Sequence, residues 1–196
     1  MTVSGGNWRT QPSPPGSPIP PSRQPLSRRP RVNYLKAGFI GLIGAYGLLC
    51  ALNPETYRWL DLVNLVFHEA GHMVFGFFGD FLGVLGGSLM QVLIPAVATA
   101  HFVLYDQRWS GMVTLFWVSQ SLFNVSVYVK DARAQALPLL GGDDAIHDWN
   151  WLLARLGLLS WDQAIGIMIY AMGLLVLAVS ILGGLYYSLN DQAADA

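Results

Sequence analysis

Hydrophobic positions in this chain are gathered into long runs separated by short polar breaks. Five runs, residues about 35–52, 58–78, 88–105, 110–130 and 161–186, approach or reach the roughly 20 apolar residues a helix needs to cross a hydrocarbon core. They predict membrane-crossing helices. Between the second and third runs, FFGDFLGVLGG carries Gly79, Gly83, Gly86 and Gly87, a spacing that suits a re-entrant or tightly turned segment enclosed by protein. Pro95, inside the third run, is expected to kink it. After the fourth run the pattern changes. Ile146, Trp149, Leu152, Leu153 and Leu156 recur at helical spacing behind Asp143 or Asp144 as a cap. They predict an amphipathic helix over 144–157 at the cytoplasmic interface of the membrane.

Composition sharpens this picture. Of 196 residues, 53% are hydrophobic and only 12% charged, against about a quarter charged in a soluble domain. Eight of the 11 prolines lie in the first 30 residues, so residues 1–33 read as a disordered Pro/Arg-rich tail whose PxxP spacings match a partner-binding pattern. The expected organisation is that tail, a transmembrane domain over 34–187, and a polar C-terminal tail over 188–196. The fold class is all-α, a polytopic membrane bundle of five transmembrane helices. The first run is read as an anchor rather than a signal peptide, because its polar lead is long and LLCALNPE offers no small-residue cleavage site. A net charge of −1 gives no basic field for nucleic acid. Cys50 stands alone, which excludes a disulfide framework and any multi-thiolate metal site. Five crossings with the N-terminus inside put nine basic residues on the cytoplasmic side and two, Arg58 and Arg108, on the other. The expectation is therefore an integral membrane protein with a cytoplasmic N-terminus, and an odd count sends NDQAADA to the far side.

Chemistry concentrates in the second run, where His68-Glu69-Ala70-Gly71-His72 forms an H-E-x-x-H pattern. Residues four apart share a helix face, so both imidazoles can reach one tetrahedral Zn2+ ion. Glu69 sits one step round, beside the open coordination position, where it can take a proton from metal-bound water and pass it to a leaving amine. Asp61, Asn64, His68 and His72 form one polar stripe on an apolar helix, as an inward-facing seam would. A second stripe, Gln120, Asn124, Tyr128 and Asp131, falls on one face of the fourth run. Asp131 from that stripe could complete a two-His-plus-carboxylate set. His147 is the competing third ligand, and otherwise reads as a residue supporting the ligands or gating substrate, or as a surface residue. Asn124, Tyr128 and Asp148 are expected beside the ligands or against substrate. His101 reads as a bundle hydrogen-bonder.

A zinc motif inside a hydrophobic helix resembles the site-2 protease family of intramembrane metalloproteases, over about residues 60–135. HEAGH fits that family fully. The partner segment, Asn124 through Asp131-Ala132-Arg133, has an Asn seven residues before an Asp but lacks the family's prolines and L-D-G. It is closer to small bacterial relatives in which a D-A pair follows the helix. The resemblance implies a Zn2+-dependent endopeptidase in a bacterial cytoplasmic (inner) membrane, cutting membrane protein or peptide substrates in the lipid bilayer. It also implies two His and a Glu from one helix and an Asp from a later one. The alternative is a non-proteolytic membrane metal-binding or assembly protein, a pseudoprotease that retains HEAGH.

Overall fold

The computed structural model describes residues 31–138 and 146–191. Most of the expected N-terminal tail, the cap residues Asp143 and Asp144, and the last five residues lie outside them. Six α-helices follow in order: α1 Tyr34–Leu52, α2 Trp59–Phe75, α3 Asp80–Leu104, α4 Arg108–Lys130, α5 Asp148–Arg155 and α6 Asp162–Leu189. The described residues are a helix bundle. α1, α3, α4 and the segment containing α6 are long and apolar enough to cross a membrane, which is consistent with an integral membrane protein.

Local chemistry explains the helix boundaries. Asn33 caps α1, its side-chain oxygen accepting from the Lys36 N–H at 3.1 Å, and Asn53-Pro54 ends the helix. α2 opens where the Arg58 N–H donates to the Asp61 carboxylate at 2.7 Å. Gly79, at φ +102°, makes the turn between α2 and α3, a conformation that only glycine adopts without strain. The rest of the glycine-rich stretch is not a loop. Gly83, Gly86 and Gly87 lie inside α3, which begins eight residues earlier than its hydropathy suggests and runs on through a buried Pro95. The reason is packing. A β-carbon at Gly71 would collide with the Gly86 carbonyl, so the absent side chains let α2 and α3 touch backbone to backbone.

Hydrogen bonds between helices fix their directions. Asn33 N–H donates to the Ser188 carbonyl (2.8 Å) and Tyr170 Oη to the Ala51 carbonyl (2.8 Å), so α1 and α6 are antiparallel. Ser180 Oγ donates to Met112 O at 2.7 Å and Ser119 Oγ to Gly173 O at 3.0 Å, which makes α4 antiparallel to α6. Thr99 bonds Thr114 and Gln91 bonds Asn124, which makes α3 antiparallel to α4. α2 is antiparallel to α3, with His68 meeting Gln91 and His72 meeting Gly83. Consecutive helices α1 and α2 therefore run the same way. Asp61, in the first turn of α2, already meets Gln120 and Asn124, past the midpoint of α4. α2 occupies only the half of the bundle nearest Lys130.

α5 departs from its expected role. It begins at Asp148, not 144, because the His147 side chain is its cap, Nδ1 accepting from the Asn150 N–H at 3.2 Å. Nor does its apolar face cover the bundle from outside. Leu152 and Leu153 are buried, Leu153 packing with Val125, Val129 and Ala132 of the α4 region, while Ile146 and Leu156 stay exposed. Trp149 Nε1 donates to Ser88 Oγ at 2.9 Å and Asn150 Nδ2 to Ala132 O at 2.8 Å. The helix is docked into the end of the bundle.

Candidate metal centre

The two histidines of α2 converge, and the acid that meets them is on α5. Asp148 Oδ2 lies 2.9 Å from His68 Nε2 and 3.2 Å from His72 Nε2. One ligand atom from each of the three residues falls within 4.8 Å of the others. His68 and Asp148 are buried and His72 is half-buried. Burial raises the Asp148 carboxyl, but the two imidazoles beside it outweigh that and hold it below the ordinary carboxylate value. It is ionised at neutral pH.

The protonation of the rings follows from what lies behind them. His72 Nδ1 faces the Gly83 carbonyl at 2.9 Å, which can only accept, so Nδ1 carries the hydrogen. His68 Nδ1 faces Gln91 Oε1 at 3.1 Å, and the orientation of that amide is itself dictated. The Asp61 carboxylate can only accept, so Asn124 turns its Nδ2 towards it, at 3.2 Å. Asn124 Oδ1 then accepts from Gln91 Nε2 at 3.1 Å, which leaves Gln91 Oε1 for His68. Each ring therefore turns Nε2 towards the same carboxylate oxygen, donating an N–H to it when protonated there and offering a lone pair once that proton is gone. A divalent cation can take the place of those protons, held by two nitrogens and the carboxylate. Outer partners that fix tautomers in this way accompany metal-ligating histidines generally. Two imidazoles and a carboxylate suit a divalent ion such as zinc.

Space is set aside at the same place. A β-carbon at Gly87 would lie 2.6 Å from Nε2 of both His68 and His72. Gly87→Ala is expected to lower zinc affinity by about 10–100-fold, the range for groups that orient ligands. Gly38→Ala, where nothing lies within 4 Å of the new methyl, should leave affinity unchanged. Zinc titration of the two purified variants makes the comparison.

Asp131 and His147 do not join the group. The Asp131 carboxylate is committed to the turn after α4, accepting from the N–H groups of Ala136 (2.9 Å) and Leu137 (3.0 Å). It also accepts from His147 Nε2 at 3.2 Å. His147 uses Nδ1 as the α5 cap, so neither of its nitrogens has a lone pair to offer. These two residues instead aim α5. Tyr128 does the same, its hydroxyl accepting from the Asp148 N–H at 3.1 Å. Asn124 acts through Gln91, as above. His101 lies against Phe102 and Tyr105. Among the residues expected beside the ligands, Asp148 is the one whose carboxylate lies against both histidines and could hold an ion with them. The signal for it was an acid in the first turn of a capped helix.

A cavity of about 850 Å³ reaches the three donors. Glu69 lines it, exposed, next to His68 and His72. Its inner wall is Asp61, Gln91, Asn124 and Tyr128, and its rim comes from Pro54, Glu55 and Tyr57 before α2 and from Leu137, Pro138 and Ile146 before α5. The chain matches no family model, no curated protein and no solved structure.

Proposed function

We propose that the protein is a membrane-embedded, zinc-dependent endopeptidase of the site-2 protease type. The observation that carries this reading is the convergence of His68 Nε2 and His72 Nε2 on the Asp148 carboxylate, with the carboxylate of Glu69 in the same cavity. His68, His72 and Asp148 would hold the ion. Zinc, when bound, supplies a Lewis acid and lowers the pKa of water. Glu69 takes the proton of the attacking water as its oxygen adds to the peptide carbonyl. Glu69 then delivers that proton to the amide nitrogen as the C–N bond breaks. Asp61, Asn124 and Gln91 keep a hydrogen on Nδ1 of His68, so that Nε2 is the nitrogen that would bind the ion. A peptide bond in lipid is protected by helical hydrogen bonding and by lack of water, so the substrate must enter the cavity locally unwound. A volume of 850 Å³ admits a few extended residues but not a packed helix.

Metal removal tests the proposal. In proteoliposomes with a transmembrane peptide reporter, the wild type should carry one zinc per chain and cleave. A chelator should stop cleavage, and added zinc should restore it. Zinc without cleavage of any reporter would favour the metal-binding or assembly alternative, and a wild type that binds no zinc would end both readings.

A further inference from the structure

The two ends of the bundle differ in what they hold. At one end the first and last of the described residues are clasped together. Lys36 Nζ pairs with Asp191 at 2.7 Å, Asn33 Nδ2 donates to the same carboxylate at 2.8 Å, and Arg31 and Asp191 form a backbone bridge. Trp109, at the start of α4, donates to Ser188 there at 3.0 Å. At the opposite end lie the Arg133–Asp162 ion pair (2.7 Å), α5 and the cavity rim.

A chain of five full crossings cannot have this arrangement, because an odd number separates the termini. The helix that does not cross is α2. It has 17 residues, starts beside the middle of α4 and ends at the Lys130 end, towards which α1 already ran. α1, α3, α4 and α6 supply four crossings, an even number, and the clasp and the cavity rim fall in opposite compartments. The basic residues then divide differently. Arg31, Lys36 and Arg108 lie at the clasped end, with Arg9, Arg23, Arg28 and Arg29 preceding Arg31 in sequence, and Lys130, Arg133 and Arg155 lie at the cavity end, seven against three, while Arg58 stands at the mid-depth start of α2. The richer side is cytoplasmic.

We infer that both chain ends are cytoplasmic and that the cavity opens on the outer face of the membrane, so that its substrate is a segment of a membrane protein lying at that outer face. The substrate half of this inference rests on the peptidase reading; the sidedness does not. Water and metal enter from the same outer compartment. α2 is a half-depth helix that carries HEAGH from the middle of the bundle out towards that face, and the turn Gly76–Phe78, with Phe77 and Phe78 exposed, returns the chain into α3.

Single cysteines at Ser27, Ala134 and Ala194 test this in the full-length protein, in intact cells against permeabilised ones, with a membrane-impermeant maleimide. Cys50 is buried and supplies the unlabelled background. Ala134→Cys should label in intact cells, and Ser27→Cys and Ala194→Cys only after permeabilisation. Labelling of Ser27→Cys and Ala194→Cys from opposite sides would overturn the four-crossing path. Labelling of both from outside, with Ala134→Cys protected, would overturn the orientation. Two reporters, with the cleavable segment next to the outer or the inner membrane surface, test the substrate half. Cleavage of the outer one alone is expected, and cleavage of the inner one overturns the inference. If labelling is as expected and neither reporter is cut, it is the peptidase reading that has failed, and sidedness stands.

Discussion

Glu69→Gln is expected to retain bound zinc and normal membrane levels while losing turnover by about 10²–10⁴-fold, the usual contribution of a positioned proton-transfer group. The substitution keeps the size of the side chain and leaves His68, His72 and Asp148 in place. It removes only the group that can hold a proton. Glu69 is exposed in the cavity rather than bonded within the bundle, so neither folding nor packing should register the change. The readouts are zinc content per purified chain and cleavage of the transmembrane reporter. Full cleavage by the variant would rule out the proposed proton path. Loss of zinc would mean that Glu69 is a ligand, which the three-residue group does not include.

Asp148→Ala should have the second large effect, removing one of three donors and lowering zinc affinity by at least about 100-fold, with turnover lost alongside. Asp131→Asn should be milder, about tenfold, because Asp131 acts only through His147 and the start of α5. The order of these two variants decides between the structure and the register of the α4 stripe. If Asp131→Asn empties the site and Asp148→Ala does not, the third ligand is Asp131. Elution of each variant from a sizing column shows whether α5 has come loose, since its Trp149 and Leu153 are packed into the bundle.

Much of the fold was legible because lipid imposes a simple rule: long apolar runs become helices, and their ends can be read to within a few residues everywhere but at the start of α3. The half of the site on α2 was legible for a related reason. The i, i+4 spacing of His68 and His72 is a local property of any helix, and Asp61 and Asn64 continue the same seam. The third ligand depends on tertiary docking. By spacing alone Asp131 continues the stripe of Gln120, Asn124 and Tyr128. Two backbone N–H groups in the turn that follows claim its carboxylate before any metal can. Asp148 read as a neighbour of the ligands, because nothing in its spacing ties it to the α2 histidines until α5 is folded against α3. The glycines misled for the same reason. Without a partner helix in view, Gly83, Gly86 and Gly87 read as turn formers, when their service is to let α2 come close.

The polar seam of α2 also bears on how the molecule is made. Asp61, Asn64, His68, Glu69 and His72 would be costly in lipid if this helix were released from the insertion machinery alone. Gln91, Gln120 and Asn124, the groups that satisfy the seam, are synthesised later, and Asp148 later still. α2 therefore cannot settle as it emerges. It must wait at the membrane surface or in a sheltered channel until α3 and α4 arrive. The group of His68, His72 and Asp148 closes only when α5 has been translated and docked, so a stalled or truncated chain holds the two histidines without their carboxylate. Order of synthesis keeps the donor set incomplete until the last crossing alone remains to be made.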